Sequence, residues 1–127
     1  MAPVLETGVD IVEVARVARL ASRYGDRFAD RVFSGDEWRD CRGRPHSLAA
    51  RFAAKEATIK ALGTPNVALH EIRVVRPDGQ RPVLQLTGRA RARADAMGVR
   101  HLALSLSHSR DYAVAVVVLW YSAMTSP

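Results

Sequence analysis

Arg51-Phe-Ala-Ala-Lys-Glu-Ala-Thr-Ile-Lys-Ala-Leu-Gly63 reads as the body of one long helix, and the rest of the fold is built around it. At about 100° per residue, Leu48, Phe52, Ile59 and Leu62 fall on one apolar stripe. Ala50, Ala53, Ala54, Ala57 and Ala61 make a second face, small enough for close packing. Little perimeter is left for water. The chain carries 19 Lys plus Arg, and only Lys55 and Lys60 are lysines. Arginine does the solvating work elsewhere, so two lysines kept on one helix point to a specific demand for a compact ammonium. Arg51 and Lys55 lie within or beside the stripe, and Glu56 and Lys60 along its other edge. Charges at a buried margin cost free energy unless they are paired or hold a ligand. Arg51/Lys55 and Glu56/Lys60 are each i,i+4 neighbours that share a face. At this level two readings stay open: structural ion pairs, or groups that bind something.

Either side of this helix the pattern changes period. Val4 to Asp10 reads as a short strand, followed by a helix from about Ile11 to Arg23 that points Val14, Val17 and Ala21 inward. Asp10 with Glu13 resembles a capping box, and Tyr24-Gly25-Asp26 ends that helix. Ser34 with Glu37 opens a short helix to about Arg42. Gly43-Arg44-Pro45 breaks it, and the long helix runs from about Ser47 to Leu62, stopped by Gly63-Thr64-Pro65-Asn66. Glu71 to Arg76 and Val83 to Thr87 flank the turn Pro77-Asp78-Gly79-Gln80 and form a hairpin. A polar helix spans Gly88 to Met97. His101 to His108 and Tyr112 to Trp120 make a last strand pair around Ser109-Arg110-Asp111. The expected fold is α+β, with a small, mostly antiparallel sheet on the alanine-rich helix. Residues 1–121 form a single domain, and 122–127 read as a disordered tail. So small a sheet buries little alone, which makes oligomerisation a reasonable expectation.

Composition bounds the function. With 127 residues and 48% hydrophobic content, the chain holds one modest core. The single cysteine, Cys41, excludes an internal disulfide framework, suits a reducing cytoplasm, and reads as a packing residue. No signal peptide is evident, and the apolar run Ala113 to Tyr121 is too short to cross a bilayer, so no membrane role is expected. The net charge of +6 implies an acidic partner: nucleic acid, a phosphorylated small molecule or an acidic protein.

Asp10, at a strand end, and Glu56 are candidate ligands for a hard cation such as Mg²⁺, which takes one or two carboxylates and leaves the rest to water and phosphate. No His/Cys spacing suits zinc. Ser105-Leu-Ser-His-Ser109 puts hydroxyls and His108 at a strand end leading into a turn, a composition able to bind phosphate or to serve as a plain edge strand. Arg16, Arg19 and Arg23 recur on one face of the first helix, either a solvated stripe or a dock for an acidic protein. His46, His70 and His101 read as structural or solvated, and Arg89, Arg91 and Arg93 as a solubilising run.

Gly8-Val-Asp-Ile-Val-Glu-Val-Ala-Arg16, Arg51-Phe-Ala-Ala-Lys-Glu-Ala57, Lys60-Ala-Leu-Gly63 and Leu104-Ser-Leu-Ser-His108 with Tyr112-Ala-Val-Ala115 appear in one order across nearly the whole chain. Together they resemble the holo-acyl carrier protein synthases, the small bacterial type of 4′-phosphopantetheinyl transferase. The resemblance implies a Mg²⁺-dependent transferase of fatty-acid and lipid metabolism, working in the cytoplasm. It would move the phosphopantetheine arm of coenzyme A to a serine of an apo acyl carrier protein and release 3′,5′-ADP. It implies Asp10, Glu56 and Lys60 as catalytic residues, with Asp10 and Glu56 as the metal ligands. Arg51, Lys55, Gly63, His108 and Ser109 would bind coenzyme A. Arg16, Arg19 and Arg23 would meet the acidic carrier protein. A homotrimer with sites at subunit boundaries is implied as well. The chain departs from the family pattern at Thr64-Pro65-Asn66, where a longer glycine-rich loop is common, and at Gln80-Arg81-Pro82, where Gly-Lys-Pro is common.

The rival is a basic nucleic-acid-binding domain without catalysis. It accounts for the charge, but not for two lysines beside a glutamate on a doubly apolar helix. With aromatics at 6%, stacking platforms are also scarce. An inactive scaffold is disfavoured by the intact Asp10, Glu56 and Lys60.

Overall fold

The computed structural model describes residues 2–122. In chain order it contains β1 (Pro3–Glu13), α1 (Val14–Tyr24), α2 (Asp26–Val32), α3 (Gly35–Cys41), α4 (Pro45–Leu62), a 3-10 turn (Leu69–Glu71), β2 (Ile72–Val75), β3 (Val83–Leu86), α5 (Gly88–Met97), β4 (Val99–His108) and β5 (Tyr112–Ser122). The fold is α+β, as expected, but the strands divide into two sheets. One has three antiparallel strands in the order β1-β5-β4; the other is the antiparallel hairpin β2-β3. Of the expected tail, Ser122 pairs with Pro3 at the end of β5, and residues 123–127 lie outside the described residues.

Helix α4 is the hub. Pro45 starts it, where a missing N–H costs nothing, and Gly63 ends it at φ 68°. It packs against β1 and β5 on one side, α1 on another, and β2 on a third. Both of its faces are therefore used: Ala49, Ala53, Ala54 and Ala57 are fully buried, as are Leu48 and Leu62 near its ends. A leucine buried this completely contributes about 2–5 kcal/mol against truncation to alanine. Phe52 and Ile59 are half-buried at the core's margin.

The contact between β1 and α4 depends on Gly8. A Cβ there would lie 1.8 Å from the carbonyl oxygen of Ala57, so only glycine lets the strand approach this closely. Side chains on a strand alternate, so Gly8, Asp10 and Val12 share the face that meets α4. This geometry corrects one expectation. Asp10 does not cap a helix, because β1 continues to Glu13 and pairs Asp10 with Ala115 and Glu13 with Tyr112. The first helix starts at Val14, and Glu13 at its N-cap makes no side-chain cap. Helix α2 was not anticipated; Phe28, Ala29 and Val32 bury its inner face. The Ser34/Glu37 capping box is present at α3.

Candidate active site

Asp10 and Lys60, 50 residues apart in sequence, meet where β1 crosses α4. The Lys60 ammonium donates to Asp10 Oδ1 at 3.1 Å and to the Val9 carbonyl at 2.9 Å. One turn earlier on α4, Glu56 enters the same electrostatic field. Burial, followed by the charge of Asp10, pushes its carboxyl above the ordinary range, while Lys60 and Arg16 pull it down. The expected i,i+4 pairing of Glu56 with Lys60 is replaced by the bond to Asp10. Among the described residues, no three His, Cys, Asp or Glu side chains converge as a metal cluster. The donor set is thus two carboxylates. Partly withdrawn from water and mutually repelling, this all-oxygen pair fits a hard divalent cation that fills its other positions with water or phosphate.

Lys55 goes elsewhere, which corrects its expected place at the coenzyme. Its side chain is fully buried and points into the protein. The ammonium donates to Glu37 Oε1 at 2.7 Å, to the Leu69 carbonyl at 3.3 Å and to the Ile72 carbonyl. Burial, opposed in part by Glu37, makes it easier to deprotonate than an ordinary lysine. Glu37 is equally occupied: Oε1 also accepts from Ser34 N, and Oε2 accepts from Val74 N at 3.0 Å. The cation is satisfied in the interior and has no donor left for a ligand. Glu37 is the partner that reading α4 alone did not supply.

A cleft of about 1050 Å³ opens on another side of α4. Arg39, Arg42, Arg44, Arg51, Arg76 and Arg81 line it, with His46 and His108 and a single acid, Asp40. Arg51 is nearly buried, 4.0 Å from Asp40. The His46 ring lies 5.2 Å from that of His108, and its Nε2 is 2.9 Å from the Arg110 carbonyl. Arg39 is also paired with Asp36 and Arg44 with the Cys41 and Asp40 carbonyls, but basic groups still outnumber acids here, a lining suited to phosphates. Arg51 and His108 both line this cleft. Ser109 closes the β4–β5 turn, bonding Tyr112 through backbone and side chain, and does not line the cleft. Gly63 caps α4 beyond Lys60 and does not line it either. His46, whose sequence context suggests a structural or solvated role, belongs to the cleft, as do Arg39, Arg42, Arg44 and Arg76. The run Arg39–Arg44 ahead of α4 was the available signal.

Asp10, Glu56 and Lys60 are absent from this cleft. Arg51 and Glu56 differ by five positions, about 140° around the helix. One protomer thus presents the anion cleft and the Asp10–Lys60 group separately. Arg16, Arg19 and Arg23 share a groove of about 410 Å³ on α1 with Leu20 and Tyr24, and Arg23 stacks on the Tyr24 ring at 5.4 Å. The charge of Arg16 helps to pull the Glu56 carboxyl down, so the groove lies within electrostatic reach of Glu56. Arg89 and Arg91 are mostly exposed, as a solubilising run would be, with Arg89 beside Glu71 and Arg91 beside Asp95, while Arg93 bonds the Leu62 carbonyl at the end of α4. Cys41 is fully buried, and burial pushes its thiol up.

Residues 6–117 match the family model of the 4′-phosphopantetheinyl transferase superfamily. A holo-[acyl-carrier-protein] synthase of Herpetosiphon aurantiacus is 47% identical over 123 residues, covering 90% of this chain and 97% of that protein. Among solved structures, an acyl carrier protein synthase–coenzyme A complex from Chronobacterium ammoniagenes is 38% identical with a TM-score of 0.83, covering 94% of this chain and 99% of that one. The Helicobacter pylori holo-[acyl-carrier-protein] synthase in complex with coenzyme A is 30% identical with a TM-score of 0.80, covering 89% and 98%.

Proposed function

This chain belongs to the 4′-phosphopantetheinyl transferase superfamily as an enzyme of the holo-[acyl-carrier-protein] synthase type, and from that premise we propose a mechanism for its own residues. Coenzyme A binds with its 3′-phosphate end among Arg51, His108 and the other cleft arginines. The serine hydroxyl of the carrier protein attacks the phosphorus that bears the pantetheine arm. A serine O–P bond forms, the P–O bond of the pyrophosphate breaks, 3′,5′-ADP leaves with the electron pair, and the serine proton passes to water. Asp10 and Glu56 would hold Mg²⁺, which when bound neutralises phosphate charge and aligns the reacting groups. Lys60 meets the negative charge that builds on the departing phosphate. The arginines of α1 steer the acidic carrier protein toward Glu56 and Lys60.

Two observations support a site shared between copies. The anion cleft and the Asp10–Lys60 group lie apart on one protomer, so a neighbour's cleft is the natural complement. The outer face of the three-stranded sheet also exposes Leu5 and Ile11 at 61%, Val9 at 57% and Val116 at 40%, an apolar patch suited to self-association. We take the assembly to be a homotrimer through this face. The buried free thiol of Cys41 suits the reducing cytoplasm, in which we place the reaction. The relatives named above are carrier-protein synthases, which favours this reading over the nucleic-acid one.

The observation that carries the proposal is the bond between Lys60 on α4 and Asp10 on β1, with Glu56 one turn earlier on the same helix. The test is incubation with coenzyme A, Mg²⁺ and an apo acyl carrier protein, followed by intact-mass measurement. The expected result is a mass gain of one phosphopantetheine unit, abolished by a chelator. An unmodified carrier, in a preparation that a characterised synthase does modify, would overturn it.

A further inference from the structure

The arginine cleft is built from four separate pieces. Arg39, Asp40 and Arg42 come from α3 and its end, and Ala50 and Arg51 from α4. Val74, Arg76 and Arg81 come from the β2–β3 hairpin, and His108 ends β4. Arg39 is paired with Asp36 and Arg51 with Asp40, yet positive charge still outnumbers negative around this space, and that excess works against holding the walls close. The hairpin is held in place by what its buried Ile72, Val74, Leu84 and Leu86 pack against. It is a two-stranded sheet outside the main one, and such a hairpin is marginal by itself.

One feature crosses between these walls in the interior. Glu37 lies on α3, accepts from Lys55 on α4, and accepts from Val74 N on β2. Lys55 in turn holds the Ile72 carbonyl on β2 and the Leu69 carbonyl just before it. We propose that the buried Glu37–Lys55 pair is a positioning element for the coenzyme, bolting α3, α4 and the hairpin together so that arginines from all three line one cleft. The inference rests on the function proposed above.

The physics suits such a role. A buried ion pair adds little net stability compared with apolar side chains of the same volume, but it has few geometries that satisfy every donor and acceptor. Its partners here are backbone atoms at fixed points of the hairpin, so it sets the position of the strand and not just its presence. Neither Glu37 nor Lys55 lines the cleft, so neither is a catalytic residue. Their effect on the substrate passes through Arg39, Arg51, Arg76 and Arg81.

The test uses the full-length protein with Glu37→Gln alone and with Glu37→Gln combined with Lys55→Met, which leaves no charge in the interior. In variants that keep the wild-type circular dichroism spectrum, KM for coenzyme A and the dissociation constant of 3′,5′-ADP rise together by roughly tenfold or more, while kcat and the KM for the carrier protein stay near wild type. A folded variant that binds 3′,5′-ADP as the wild type does would overturn the proposal. If neither variant folds, the wild-type protein still decides, because coupling is reciprocal. Saturating 3′,5′-ADP is then expected to slow hydrogen exchange at the Val74 amide more than at Val117 in β5, and equal slowing refutes the proposal. Wild-type protein that neither transfers the arm nor binds 3′,5′-ADP would instead defeat the functional reading itself.

Discussion

Lys55 and Lys60 stand five residues apart on the same helix, and their surroundings are opposite. The Lys55 side chain is completely buried and saturated by Glu37 and two carbonyls. The Lys60 side chain is 55% exposed and shares its ammonium between Asp10 and a strand carbonyl at the surface. The same residue type therefore does two jobs, and helix phase assigns them. A turn of about 140° takes the chain from the side of α4 that meets the hairpin to the edge that meets β1. Burial makes a lysine's charge expensive and its geometry exacting, while exposure leaves it free to answer a substrate.

The contrast breaks most visibly in activity. Lys60→Gln is expected to lower kcat by about 10²- to 10⁴-fold while the unfolding free energy from urea titration changes no more than for an ordinary surface substitution, about 0.5 kcal/mol. Glu56→Gln is expected to lose Mg²⁺-dependent rate to a similar extent, and a near wild-type rate would remove it from the ligand set. Lys55→Met should do the reverse. Removing one partner of a buried pair costs about 3–5 kcal/mol in denaturant titration, with kcat per folded molecule retained.

Gly8→Ala tests whether the close approach of β1 to α4 is what brings Asp10 to Lys60. Its Cβ meets the Ala57 carbonyl, so we expect about 1–3 kcal/mol of destabilisation by thermal melting, together with a fall in kcat as Asp10 shifts. The smallest effect sharpens the interior half of the contrast. Glu71 is another buried acid, but its partners are backbone amides. Burial raises its carboxyl, yet hydrogen bonds from Ala68 N and Arg89 N, helped by the Arg89 charge, outweigh this and hold it below the ordinary value. A depressed carboxyl stabilises the fold above its unfolded pKa and loses that contribution as pH falls through the folded value. Glu71→Gln should therefore cost about 1–2 kcal/mol near neutral pH, a difference that closes in acid unfolding curves.

Much of this was legible because it is local. The Ser34/Glu37 capping box, the Gly63 stop, the Pro77–Gln80 turn and the leucine alternation of β4 each act within a few residues, and each element formed where its signals stood. The extension of β1 through Glu13 was not legible, because the partner that holds Asp10 extended is Ala115 at the far end of the chain. The fate of Lys55 was hidden for the same reason. On a helix apolar on two faces, periodicity does not say which edge turns inward, and Glu37 lies in another helix. Asp10, Glu56 and Lys60 could be named from their motifs, but their convergence needed the Gly8 contact. The arginine cleft collects side chains from four elements, none with a periodic signature.

Having only two lysines makes the central contrast directly measurable. Native protein treated briefly with an amine-acylating reagent and mapped by peptide mass spectrometry should carry label at Lys60 and none at Lys55. Lys60 should be protected by coenzyme A with Mg²⁺, and Lys55 should react only after denaturation. Label at Lys55 in the folded protein as fast as at Lys60, or no protection of Lys60 by the coenzyme, would contradict the assignment of one lysine to the frame and the other to the reaction.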